Sequence, residues 1–320
     1  MNSREAVSLL RSVLLGVALV SAGGASAVGG AAATELDIVG KTVLFAPGIA
    51  STQYSEIRLT LNPQGDTAIW FSRDRPGGAG GYDIWISRRK DGDWQEAQPV
   101  PFNSPTRDFD PAFSSDGRFV YFCSDRVGSL GGDDLYRVPV TRKGFGPVEH
   151  LDAAVNSMGN EFAPMLSPRG DRLLFSSDRA GGSGGHDLFA ARRTAAGTFA
   201  TAQRLPGAVN TDAHEFDATF LHDGATVVFA RTPDFGAARV EVFVSSPQAG
   251  RYGAGVRLPP PANSSVDDTY GAMLDWSGSD RITLSARRDK EKGMDLYVMR
   301  YRLRGGIPQP TVGPAQGWNP

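Results

Sequence analysis

The stretch RDRPGGAGGYDIW, residues 73–85, sets glycines 77, 78, 80 and 81 between an Asp-Arg pair and a strand-like Tyr-Asp-Ile-Trp run. Three readings compete for it: a phosphate-cradling loop, the nucleophile turn of a hydrolase, and a connection between strands. The rest of the chain decides among them. SDRVGSLGGDDLY begins at Ser124 and SDRAGGSGGHDLF at Ser177, with degenerate copies ARTPDFGAARVEVF from Ala230 and SARRDKEKGMDLYV from Ser285. Upstream of each copy lies a turn carrying Gly65, Gly117, Gly170, Gly224 or Gly278, spaced 52 to 54 residues apart. A fixed period of that length signals a repeat architecture.

Within a unit, apolar and polar residues alternate as in half-buried antiparallel strands. The second unit holds four such runs: DPAFSS from Asp110, RFVYFCS from Arg118, DLYRVPV from Asp134 and FGPVEHL from Phe145. Equivalent fourth strands are expected from Trp94, Phe199 and Tyr252. No segment between residues 41 and 301 keeps a helical period, which excludes an α/β layout. The fold class is all-β: a five-bladed β-propeller of four-stranded antiparallel blades, at about 56–100, 108–151, 161–205, 215–258 and 268–301. The fifth unit lacks a fourth strand, and GKTVLFAPGIAST from Gly40 aligns with the gap, so a strand at 41–46 is expected to close the ring. Residues 302–320, rich in Pro and Gly, read as a disordered tail.

Of the 320 residues, 40% are hydrophobic and 21% charged, enough apolar content for a core. The net charge of -2 gives no attraction to nucleic acid or an anionic membrane. The N-terminus has Arg4 and Arg11, an apolar run from Val13 to Val20, and the small triplet Ala25-Ser26-Ala27. This layout predicts a cleaved signal peptide at 1–27, a linker at 28–40, and a periplasmic or secreted product without membrane insertion, expected to be a monomer. Cys123 is the only cysteine, so no intramolecular disulfide forms.

The repeated pattern is an acid, an S-x-x-G turn, F-x-S-D-R, then G-G-x-G-G-x-D-[IL]-[YWF]. It resembles the WD40-like β-propeller repeat of TolB-like bacterial proteins over residues 41–301. Three copies keep it well: Asp74, Arg75 and Asp83; Asp125, Arg126 and Asp134; Asp178, Arg179 and Asp187. In the fourth unit Thr232, Pro233 and Glu241 stand in these places, and in the fifth Arg287, Arg288 and Asp295. The resemblance implies an extracytoplasmic interaction module.

A phosphate loop needs its glycines to open a helix, and here they open a strand. Gly181 to Gly185 spell G-x-S-x-G, but Ala79 and Leu130 take the place of Ser183 in other units, which makes Ser183 a loop filler. His150, His186, His214 and His222 show no ligand spacing on one element, and Cys123 reads as a packing residue. The motif residues Asp74, Asp83, Asp125, Asp134, Asp178, Asp187 and Asp295 read as structural, with calcium as the alternative and otherwise no metal or cofactor. Glu56, Asp108, Glu161 and Glu215 precede the innermost strands and are expected to ring one mouth of the channel, on the face of the glycine loops, with Asp268 one residue off register. Asn103, Asn156, Asn210 and Asn263 in the same connections read as Asx turns.

The expected function is non-catalytic binding of a protein, peptide or envelope glycan on that face, through those acids, Arg75, Arg126, Arg179, Arg231 and Phe235. The alternative is a glycosidase-like enzyme using central carboxylates. Catalysis needs two carboxylates in unlike environments, and the units differ where Asp110 and Asp217 stand against Arg58, Ala163 and Gly271. The candidate catalytic set is therefore Asp110, Glu161 and Asp217.

Overall fold

A computed structural model describes residues 35–73, 75–289 and 292–304. The expected signal peptide, residues 28–34 of the expected linker, Asp74, and residues 305–320 of the expected tail lie outside the described residues. Among the described residues there is no helix, and the strands form five antiparallel blades.

In blade 1 the strands Ser55–Leu61, Thr67–Arg73 and Tyr82–Lys90 are consecutive neighbours, and in blade 2 Asp108–Phe113, Phe119–Ser124 and Asp134–Thr141 repeat the order. Blade 3 has Glu161–Leu166, Arg172–Ser177 and Asp187–Arg192; blade 4 has His214–Phe220, Val227–Thr232 and Glu241–Ser245. The fourth strands of these blades are two-residue pairings, at Gln98–Pro99, Glu149–His150, Gln203–Arg204 and Val256–Arg257, shorter and later than the runs expected from the sequence. A short outer edge offers few free backbone groups to a foreign strand.

Blade 5 is built from both ends of the propeller. Thr269–Leu274, Arg281–Ala286 and Asp295–Arg304 are followed in space by Glu35–Leu44, with Leu36 opposite Leu303 and Val43 opposite Val298. This closing strand begins at Glu35, inside the expected linker, and its partner continues to Arg304, into the expected tail. The physical reason is local. Leu36 and Ile38 pack on Met299, Tyr301 and Leu303, and the alternation breaks at the bulge between Val39 and Val43, where Gly40 has positive φ.

The glycine turns after the inner strands work alike: the N–H of Gly65, Gly117, Gly170 or Gly224 donates to the carbonyl three residues back, of Asn62, Ser114, Ser167 or Leu221. The blades pack face to face, and their apolar clusters run from one blade into the next. The seam between blades 5 and 1 is filled by Phe45, Leu59, Trp70, Trp85 and Leu296. Inner strands are also tied laterally, because Thr60 Oγ1 accepts from Phe113 N–H at 3.1 Å and Thr219 Oγ1 from Leu274 N–H at 3.1 Å.

Candidate functional site: the loop face and the channel beneath it

Glu56, Asp108, Glu161 and Glu215 lie opposite Ser72, Ser124, Ser177 and Arg231, where the second strands run into the glycine loops. Acids and loops thus share one face. All four acids are 0% exposed, however, so they do not form an open binding ring. Each accepts hydrogen bonds from the backbone N–H and hydroxyl of the residue four positions earlier, as Glu161 does from Ser157 at 2.7 and 2.5 Å and Glu215 from Thr211 at 2.9 and 2.5 Å. In blade 5 the ring place belongs to Thr269, whose hydroxyl accepts from Ser264 N–H at 2.8 Å. Asp268 instead accepts from Val240 N–H.

The motif arginines are built into the same layer. Arg179 pairs with Glu161 at 3.1 Å and Arg231 with Glu215 at 2.6 Å, and Arg126 pairs with Asp108. Each guanidinium also lies over an aromatic ring of its own blade and donates to a carbonyl of the inter-blade connection. Arg231 stands 4.7 Å from the Phe243 ring and 3.0 Å from Val209 O; Arg75 stands 4.6 Å from Trp85 and 2.9 Å from Ile49 O. Each of these arginines thus ties its own blade to the neighbouring connection. Arg231 performs this role from two positions earlier than Arg126 and Arg179, which is why the fourth unit looks degenerate in sequence.

Blade 1 departs from the others by one residue, reading Ser-Arg-Asp-Arg where units two and three read Ser-Asp-Arg. Arg75 then bonds Ile49 O, and among the described residues Glu56 has no ion pair. Burial pushes the Glu56 carboxyl up to about 7, against its bonds to Thr52 and the weaker pull of Arg75.

The glycine loops are packed connections. Asp83 accepts from the N–H groups of Ala79 and Gly80, Asp134 from Leu130 N–H and Asp187 from Ser183 N–H at 2.6 Å. A Cβ at Gly78 or Gly182 would collide with the motif aspartate of its own loop, and one at Gly80, Gly131 or Gly184 with the backbone of the next connection. Close approach on both sides thus requires glycine at 78 and 80 and at 182 and 184. Asp125 and Asp178 accept from the N–H of Arg107 and Asn160, and Asp295 stands opposite Ala286. One buried oxygen each of Asp134 and Asp187 has no partner, a single open position against the roughly six to eight that calcium takes. The connection asparagines do not make Asx turns alone. Asn156 mimics a strand edge, accepting from Leu135 N–H at 2.8 Å and donating to Leu135 O at 3.1 Å, and Asn103, Asn210 and Asn263 do the same to Ile84, Leu188 and Val242.

The unlike positions two residues further in meet at the channel axis. Every inner strand has a bulge there, and Arg58, Asp110, Ala163, Asp217 and Gly271 all have positive φ. Four of the five are not glycine, a strained arrangement that turns their side chains inward. Arg58 Nε lies 3.7 Å from Asp110 and its Nη1 3.4 Å from Asp217, while Nη2 donates to Pro164 O at 3.2 Å. Asp217 in turn accepts from Gly271 N–H at 2.9 Å, so this one cluster joins all five blades. Asp110 and Asp217 are 3% and 4% exposed, and Arg58 is fully buried. Burial and then the neighbouring Asp217 push the Asp110 carboxyl well up, with Arg58 opposing. Burial also raises Asp217, with Arg58 the main opposing influence. Sequence comparison among the units singled out these positions but not that Arg58 is the counter-ion of both acids. Glu161, the third member of the candidate catalytic set, lies in the ring layer, bonded to Ser157, Ser177 and Arg179.

Above this cluster, Ile57, Phe109, Phe162, Phe216 and Tyr270 occupy equivalent places and form an apolar collar around the mouth. The residues just before the ring acids are all different: Ser55, Arg107, Asn160 and His214, with Asp268 in blade 5. Arg107 pairs with Asp125 and Asp133 at 3.2 and 2.9 Å, and burial pushes Asp133 up to about 6 despite Arg107. His186 and His214, which sequence spacing kept apart, meet with Nδ1 atoms 3.0 Å apart because the loop of blade 3 packs on the first residue of blade 4. Phe235, 46% exposed, covers this pair, with its ring centroid 4.5 Å from His214 and 5.0 Å from Phe216.

No protein-family model matches the chain, and no curated protein matches it. Among solved structures, it is similar to TolB from Acinetobacter baumannii at 15% identity over 79% of this chain, with a TM-score of 0.46. The chain spans 56% of that protein's length. It is also similar to a putative TolB from Agrobacterium tumefaciens, at 14% identity over 78% of this chain and 84% of that one, with a TM-score of 0.48. An α-L-arabinofuranosidase from Lactobacillus brevis aligns at 8% identity over 77% of this chain and 90% of that one, with a TM-score of 0.52. Identities this low carry likeness of fold alone, and the strand arrangement makes the chain a five-bladed β-propeller.

Proposed function

We propose that the chain is an exported, non-catalytic interaction module that holds a protein or peptide against its loop face. One observation supports this above the others. Of the eight exposed large hydrophobic residues among those described, five lie on this face: Val127, Leu130, Met158, Phe235 and Val266. The other three, Val43, Leu44 and Val256, belong to outer strands. Exposed apolar residues grouped around unlike polar ones suit a protein contact. The leader-like N-terminus supports export.

The glycosidase reading is disfavoured by placement. Asp110 and Asp217 have the unlike environments that acid–base chemistry requires, yet they lie beneath the collar and are joined through Arg58. A photo-crosslinking amino acid at Met158 or Phe235, exposed to envelope extract, should give a discrete adduct that unlabelled protein competes away. The same probe at Arg169, in a turn at the opposite end of the blades, should give none. Equal labelling from both ends, or turnover of chromogenic glycosides lost in Asp110→Asn, would refute the proposal.

A further inference from the structure

The residue inserted in blade 1 is Arg73, and it differs from every other arginine of the loop face. The motif arginines are stapled to carbonyls, Arg107 is held by Asp125 and Asp133, and Arg287 by Asp267 at 3.4 Å. Arg73 is exposed, and among the described residues its guanidinium has no hydrogen bond or ion pair. The guanidinium stands 4.9 Å from the centroid of the Tyr82 ring. Tyr82 packs edge-on against Phe109 of the collar, with ring centroids 5.8 Å apart. The charge of Arg73 reaches across the mouth, acting on Asp217 and on Tyr270 in blades 4 and 5. An unpaired guanidinium leaning over half-buried rings has its five donors free in a planar fork that matches a carboxylate.

We propose that Arg73, with the half-buried rings of Tyr82, Phe162 and Tyr270, forms a subsite for a peptide carboxylate carried beside an apolar side chain. This rests on the loop-face reading above and names the chemistry that face selects. The carboxylate pairs with Arg73, and the neighbouring side chain lies on the collar. Water displaced from the rings strengthens the ion pair by lowering the local dielectric. The carboxylate can be a chain terminus or an aspartate side chain, and the probes below separate the two.

Ligand-observed NMR would compare N-acetylphenylalanine, which carries a terminal carboxylate, N-acetyl-aspartyl-phenylalaninamide, which carries a side-chain one, and N-acetylphenylalaninamide, which carries neither. At least one acid should bind at millimolar concentration, at least about tenfold more tightly than the amide. Arg73→Gln should erase that difference, Arg73→Lys should keep part of it, and Arg169→Gln should leave it intact. Arg73 is exposed and, among the described residues, its side chain has no ion pair, so these variants keep the fold. Equal binding of acids and amide, no binding of any probe, or an undiminished preference in Arg73→Gln would overturn the subsite. Binding of glucuronate in place of the peptide acids would overturn the peptide assignment. Crosslinking from Met158 and Phe235 is read independently, so it can stand while this subsite fails, or fail with it.

Discussion

The blade 1 insertion makes a quantitative prediction about Glu56. Its carboxyl has an ordinary value of 4.5 and is held at about 7 in the fold by burial without a bonded arginine. The folded state therefore keeps a proton that the unfolded chain releases, and stability falls as pH rises from 4.5 through about 7. At about 1.36 kcal/mol per pH unit, the full loss is about 3.4 kcal/mol, complete above neutrality and absent below the ordinary value. Glu56→Gln removes the titration. It also turns an amide nitrogen toward one of the two Thr52 donors, a pH-independent cost of about 1–3 kcal/mol. Urea unfolding of both proteins between pH 4.5 and 8 separates the two effects. The wild-type advantage should shrink by about 3 kcal/mol across that range, because Asp133, Asp110 and Asp217 titrate in both proteins and cancel in the difference. Parallel stability profiles would refute the reasoning.

Arg58→Met leaves Asp110 and Asp217 buried without their cation and should cost about 3–5 kcal/mol at neutral pH, with the deficit shrinking as acid protonates them. The triple variant Arg58→Met, Asp110→Asn, Asp217→Asn should recover most of that loss in thermal melts. Gly80→Ala places a Cβ against Thr106 O and should cost about 1–3 kcal/mol, whereas Gly81→Ala, with open space around it, should change chemical stability by less than about 0.5 kcal/mol. Deleting residues 35–44 uncovers Met299, Tyr301 and Leu303 and removes the burial of Leu36 and Ile38, worth at least about 3 kcal/mol for two such side chains. The melting transition should drop or broaden, and an unchanged melt would show that the ring does not depend on its closing strand.

The architecture was legible in the chain because a repeat states the same physical problem five times. Five glycine turns and three well-kept loops were enough to mark the blades, and the missing fourth strand of the last unit pointed to the N-terminal side for its replacement. The glycines at 78 and 80 carried their meaning in the sequence too, since their recurrence in other units argued for packing rather than a single reactive site. The extent of the closing strand was harder to read, because a bulge at Gly40 interrupts the alternation that marks a strand.

What the sequence determined by itself was periodic: blade number, strand order, and which face carries the loops, all of which follow from spacing along the chain. What only the tertiary structure decided was which charges are satisfied. Glu161 meets Arg179 across one hairpin, 18 residues apart, whereas Arg58 stands 52 residues from Asp110 and 159 from Asp217 and meets them only after the blades close on the axis. A carboxylate reads the same in sequence whether it faces water or a buried guanidinium, since that difference is a matter of desolvation and distance. For the same reason Arg73, alike in letter to its stapled neighbours, was separated from them by the fold alone.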